Sequence, residues 1–238
     1  VIAAALATAV ASSSGVGSGG SVRPLLYVLI GLALGATLLG TDFGFAGGFR
    51  RAAVGRDLSG IRAHLFTFAI AMVLIVPMVA AGHVLGVPIE GFARGVGVAF
   101  LLGAALFGVG MQLAGGCASG TLYQLGGGDA KYAGTLLGFV VGSVLAASHI
   151  EVWWGLPSLR PITLFTLGPW PAMLALELAA MALAYRLLGA AFPPRRLLVG
   201  GALLALLNAA TVLVSGQPWS ETWAFTLWGS QLVALAGV

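Results

Sequence analysis

The sequence predicts an all-α membrane protein, a multi-span helical bundle interrupted by short re-entrant or broken helices. Three observations carry that prediction. Of 238 residues, 59% are hydrophobic and 8% charged, with a mean hydropathy of +1.04. Soluble domains carry about a quarter charged residues, so a water-soluble surface is excluded. The charges fall in clusters between apolar runs, as expected of a chain solvated mostly by lipid. Glycine is abundant, at 37 residues, which suits close helix packing and helices broken within a bilayer.

The elements follow in order. Residues 1–10 are apolar and run into a Gly/Ser-rich stretch, so that 1–23 reads as a helix tail or a signal-like segment followed by a linker. A single membrane domain is expected over 24–238. A crossing takes about 20 mostly apolar residues, which gives spans at 24–40, 65–82 (kinked at Pro77) and 95–113, with a re-entrant stretch at 115–128. Further spans fall at 132–147, 170–188, 197–214 and 222–238. The chain starts with Val and stops inside an apolar run, and so reads as a fragment.

Charge orients these spans. Arg50, Arg51, Arg56 and Arg62 lie between the first two, and Arg186, Arg195 and Arg196 between the fifth and sixth. By the positive-inside rule both loops are cytoplasmic. The loops at 83–94, 149–168 and 215–221 are poor in positive charge, and Trp153, Trp154, Trp170 and Trp219 fit an outer interfacial belt. The sides alternate consistently if Gly95 to Gly128 makes one net crossing. The pI near 9.8 therefore reads as topology, not nucleic-acid binding.

Gly95 to Gly128 carries no charge. As one straight helix it would be about 51 Å long, against a hydrocarbon core of about 30 Å. The chain must break, and Gly115 and Gly116 mark the place, before the single cysteine, Cys117. An earlier stretch repeats the pattern. Setting GATLLGTDFGFAGGF (35–49) against GVGMQLAGGCASGTL (108–122) places Gly44 opposite Cys117 and Gly47 opposite Gly120. Two Gly-interrupted apolar segments in comparable positions point to a transport site between repeats.

A broken helix frees backbone N–H groups at its new N-terminus, a favourable place for an anion. Ser119 and Thr121 add hydroxyls, Cys117 adds a soft S–H donor, and Arg50 and Arg51 follow the first Gly-rich segment. This mixture suits a soft, sulfur-bearing oxyanion better than a sugar or a hard metal ion. Blander readings stand beside it. Cys117 also reads as a small buried packing residue, and Gly115, Gly116 and Gly120 as glycines that only bring helices close. Gln112, Gln124 and Asn208 read as interhelical hydrogen bonders. Asp42 reads as a lining residue or as the cap of the next short helix. Glu177 is a candidate because intramembrane carboxylates are costly. His64, beside the basic loop, and His83 and His149, near the outer interface, read as solvated or interfacial. No metal site is expected, and no cofactor. A lone cysteine provides no internal disulfide or CxxC pair, and no Walker A motif is present.

The segments GFAGGFRR (44–51), GMQLAGGCASGTLY (110–123) and LLNAATVLVSGQPWSETWAFTLWG (206–229) resemble the YeeE/YedE family of bacterial inner-membrane sulfur-transport proteins. The resemblance runs from about residue 24 to the end. It implies two pseudo-symmetric halves with short re-entrant helices around an hourglass-shaped path, and thiosulfate passed along cysteines by S–H hydrogen bonds. Only Cys117 matches that role here, since position 44, a cysteine in many members, is glycine. The candidate substrate-binding and pathway residues are Cys117, Gly115, Gly116, Ser119, Gly120, Thr121, Gly44, Arg50, Arg51 and Gln112. A cytoplasmic sulfur-carrier or sulfurtransferase partner is also implied, and an enzymatic activity is not. The competing classes are a membrane thiol/redox protein and a non-transporting membrane subunit.

Overall fold

A computed structural model describes residues 22–189, 192–218 and 220–235. Most of the expected N-terminal segment, Trp219 and the last three residues lie outside the described residues. The protein is an all-α membrane protein, with a single two-stranded ribbon among the described residues. Among the described residues, five helical segments are long and apolar enough to cross a membrane: Arg23–Gly55, Ser59–Ala81, Val98–Gly126, Trp170–Leu187 and Arg195–Ser215; Tyr132–Ser148 is a shorter apolar helix.

Two of these segments are each broken once. Helix α1 (Val22–Thr41) gives way to α2 (Phe45–Gly55). Helix α3 (Ser59–Ala81) returns, and a ribbon of β1 (His83–Val84) and β2 (Val87–Pro88) follows. The pattern recurs as α4 (Val98–Ala114), a break, α5 (Ala118–Gly126) and α6 (Tyr132–Ser148). One interval separates Thr41 from Ala114, Gly44 from Cys117 and Ser59 from Tyr132. The repeat suggested by the Gly-rich alignment therefore extends over three helices of backbone.

Short helices α7 (Ile150–Trp154) and α8 (Leu164–Leu167) lead to α9 (Trp170–Leu187), α10 (Arg195–Ser215) and α11 (Glu221–Leu235). Pro169 and Pro194 precede α9 and α10, where a proline costs no helix hydrogen bond. Helix α10 packs on α3 and α1, while α11 packs on α6 and α5. Each unit thus gains one later helix. Small residues make the first contact close: a Cβ on Gly200 or Gly201 of α10 would run into Thr41 or Thr67.

Helix α3 starts at Ser59, upstream of the expected Leu65, and so takes Arg62 and His64 into the packed interior. Both charge and polarity are met there. The Arg62 guanidinium lies 3.9 Å from the centroid of the Tyr185 ring, and His64 Nδ1 is 2.7 Å from the Gly60 carbonyl. His64 also packs against Phe43 and Phe45. The solvated reading of His64 is therefore corrected: aromatic cover and a backbone acceptor let it sit buried.

The ends of the bundle sort by charge. The Arg62–Tyr185 contact brings the two basic loops to one end. At the other end, Glu90 N–H donates to the Gly216 carbonyl at 3.0 Å, and Leu159 N–H to the Val96 carbonyl at 2.9 Å. The three loops poor in positive charge are hydrogen-bonded together there.

Candidate functional site

The two helix breaks share a backbone design. Asp42 and Gly115, at matching positions, both take the left-handed conformation, with φ of 51° and 74°. Glycine adopts it freely, and aspartate is among the residues that tolerate it. Two residues on, Gly44 (φ −116°, ψ 132°) and Cys117 (φ −79°, ψ −172°) are extended N-caps that launch α2 and α5.

Cys117 caps α5 with its own sulfur. Gly120 N–H donates to Cys117 Sγ at 3.4 Å, and Ser119 Oγ lies 3.5 Å from the same sulfur. Thr121 N–H returns to the Cys117 carbonyl at 2.8 Å. That leaves the first two amides of α5, on Ala118 and Ser119, as the orphan donors of the helix start. The thiol is buried, packed with Ala46 and Met111.

The breaks face each other across a cavity of about 80 Å³. Asp42, Gly44, Gly47 and Arg51 line it from the first unit, and Gly115, Gly116, Cys117, Gly120, Tyr123 and Gln124 from the second. Its wall thus holds one guanidinium, one carboxylate and one thiol. Tyr123 closes one side: its hydroxyl donates to Asp42 Oδ1 at 3.4 Å and lies 3.0 Å from where a Gly44 Cβ would stand. Tyr132 reinforces the second break by donating to the Gly115 carbonyl at 3.2 Å.

A larger cavity of about 720 Å³ lies on the other side of Tyr123, lined mainly by α1, α3 and α5, with His64, Thr67, Ser119, Asn208 and Glu221 at polar points. Tyr123 is the one residue common to both linings. Among the described residues, no group of His, Cys, Asp or Glu is arranged to hold a metal ion.

The sequence-derived residues separate in this geometry. Cys117, Gly115, Gly116, Gly120, Gly44 and Arg51 come together around the small cavity. Ser119 touches the sulfur but lines the larger cavity, and Thr121 is fully buried with no hydrogen-bond partner for its hydroxyl. Arg50 and Gln112 are exposed and line neither cavity, because each adjoins an inward residue (Arg51, Met111) on a helix that turns about 100° per residue.

Five lining residues were not among those chosen from the sequence: Ala46 and Gly47 on the first unit, and the polar Asp42, Tyr123 and Gln124. Asp42 had two open readings; Gly44 is the cap, and Asp42 lines the wall. Gln124 also reaches the cavity. Tyr123 ends the quoted motif, and its separation from Asp42 by 81 positions left no local signal for the contact.

The family model described as sulphur transport matches residues 40–238, which include both helix breaks. No curated protein matches this chain.

Proposed function

The chain belongs to the sulphur transport (YeeE/YedE) family, and from that premise we propose that it is a permease that takes thiosulfate, or a closely related sulfur oxyanion, inward across a bacterial inner membrane. The observation that carries this reading is the cavity between the two helix breaks, with Cys117, Arg51 and two helix N-termini around it.

Each group has a task in this reading. The N-termini of α2 and α5 favour negative charge. Arg51 supplies the formal positive charge and can bond two oxygens at once. Cys117 Sγ accepts the Gly120 amide, so its S–H hydrogen is available to the terminal sulfur of thiosulfate, a soft donor for a soft acceptor. Asp42 opposes an anion, and its pairing with the Tyr123 hydroxyl moderates that opposition. The substrate enters the larger cavity from the tryptophan-bearing end, passes Tyr123, and leaves past Arg51 toward the basic loops. Arg50 and Arg56 at that end suit a cytoplasmic sulfur-carrier or sulfurtransferase that collects the product.

The test is uptake of labelled thiosulfate by cells expressing the chain, with Cys117→Ser and Cys117→Ala compared. Serine is a better N-cap than cysteine, whereas alanine costs about 1 kcal/mol at such a position. Loss of uptake in both variants supports a thiol contact. Loss in Cys117→Ala alone would reduce Cys117 to a cap, and wild-type uptake in both would remove it from the pathway.

A further inference from the structure

A third cavity, of about 490 Å³, shares no lining residue with the two described above. It lies at the end opposite the basic loops, between the last turns of α3 (Val76, Val79), the segments 91–94 and 162–165, and the first half of α9. Two opposite charges line it: the carboxylate of Glu177 and the guanidinium of Arg94. They form no ion pair with each other, and the one ion pair among the described residues is Lys131–Asp129. Glu177 sits two turns into α9, about 10 Å along the axis from Trp170. A carboxylate at that depth is expensive unless something positive meets it.

The loop walls are held in place by backbone. Segment 91–94 lies so close to α3 that a Cβ on Gly91 would be 3.0 Å from Val79 Cγ1. Just beyond it, Val98 N–H donates to the Pro157 carbonyl at 3.0 Å and Leu159 N–H to the Val96 carbonyl at 2.9 Å, tying this strand of chain to the one that leads into 162–165. Phe92, Phe165 and Trp170 add aromatic rings to the wall, beside Ile162, Met173 and Leu174.

We infer that this cavity binds a zwitterion, with its ammonium group toward Glu177 and Trp170 and its acidic group toward Arg94. A simple anion would meet Glu177, and a simple cation would leave Arg94 unanswered; a molecule carrying both charges satisfies each. Indole faces also attract ammonium groups. The inference does not depend on the transport reading, since neither the thiol nor its cavity takes part. A free solute or the headgroup of an ethanolamine phospholipid supplies the same chemistry.

Thermal unfolding of the purified chain in detergent, with phosphoethanolamine as probe, tests the free-solute arm. Nanodiscs containing phosphatidylethanolamine or phosphatidylcholine with phosphatidylglycerol test the lipid arm. Binding in either arm should weaken about tenfold or more in Glu177→Gln and in Arg94→Gln, which remove one charge partner each. Glu177→Asp and Arg94→Lys should restore part of it, and they serve as the comparison where a glutamine variant does not fold. A response confined to ethanolamine-lipid nanodiscs and lost in the variants supports the inference, with the bilayer as source. No response in either arm, equal binding by the variants, or an equal response to ethylamine or inorganic phosphate alone would overturn it.

Discussion

Gly44 and Cys117 stand at the same point of two matching helix breaks, each as the N-cap of a short helix, and face each other across one cavity. The arrangement gives the site two helix N-termini but a side chain at only one of them. The Tyr123 hydroxyl borders the vacancy at Gly44, 3.0 Å from where a Cβ would stand. Thus one unit supplies the thiol and the other the space beside it.

That vacancy is testable by filling it. The backbone at Gly44 is one that any residue adopts, and an alanine Cβ would stand 3.0 Å from Tyr123 Oη, the far end of a side chain that can shift. Gly44→Ala should therefore fold and keep measurable uptake. Gly44→Val should fold but lose about tenfold or more in thiosulfate uptake, because its extra methyls enter a cavity of about 80 Å³. Uptake by Gly44→Val at the wild-type rate would mean that the cavity is off the path.

Tyr123 separates the two cavities, so truncating it should join them. Cys117 is the single cysteine of the chain, and a polar, membrane-impermeant thiol reagent reports on it alone. Its alkylation in Tyr123→Ala should be about tenfold faster than in wild type, with Tyr123→Phe in between because the ring remains while the bond to Asp42 is lost. Equal rates in all three proteins would show that Tyr123 does not limit access.

Helix α2 is held against α3 through Gly48 and Gly60. A Cβ on Gly60 would lie 2.7 Å from Gly48 Cα, and backbone cannot yield as a side chain can. Gly60→Ala should destabilise the protein by about 1–3 kcal/mol and lower its melting temperature in detergent. A Gly60→Ala protein that melts with the wild type would place α2 further from α3 than described.

Asp57 offers a pH-dependent contribution outside the spans. Its carboxylate accepts the Ser59 N–H at 2.9 Å at the start of α3, and this hydrogen bond holds its pKa below the usual aspartate value. A lowered folded pKa means that the stabilisation is present at neutral pH and fades as pH falls through the carboxylate range. Asp57→Ala should cost about 0.5 kcal/mol at pH 7, the low end for a capping group because this one is solvent-exposed. Melting curves of the two proteins should converge as pH falls below the carboxylate range. A constant gap across that range would assign the effect to something other than the charge.

The sequence by itself determined the class and the location. Low charge and long apolar runs dictate helices that satisfy their own backbone in lipid, since no other open structure can. The overlong run from Gly95 to Gly128 had to break, and its glycines showed where. The match of Gly44 to Cys117 was legible because a break needs the same backbone conformations wherever it occurs, and those conformations leave a mark in the residues chosen.

Tertiary structure decided which side chains reach the cavity. Arg51 faces it and Arg50 does not; Met111 packs inward and Gln112 stays exposed. In water an amphipathic pattern would show which face of each helix is buried. In a bilayer lipid and protein interior are both apolar, so that pattern fades and the rotational phase of a helix is set only by its neighbours. For the same reason, the contact between Tyr123 and Asp42 arises only when two units far apart in sequence pack together.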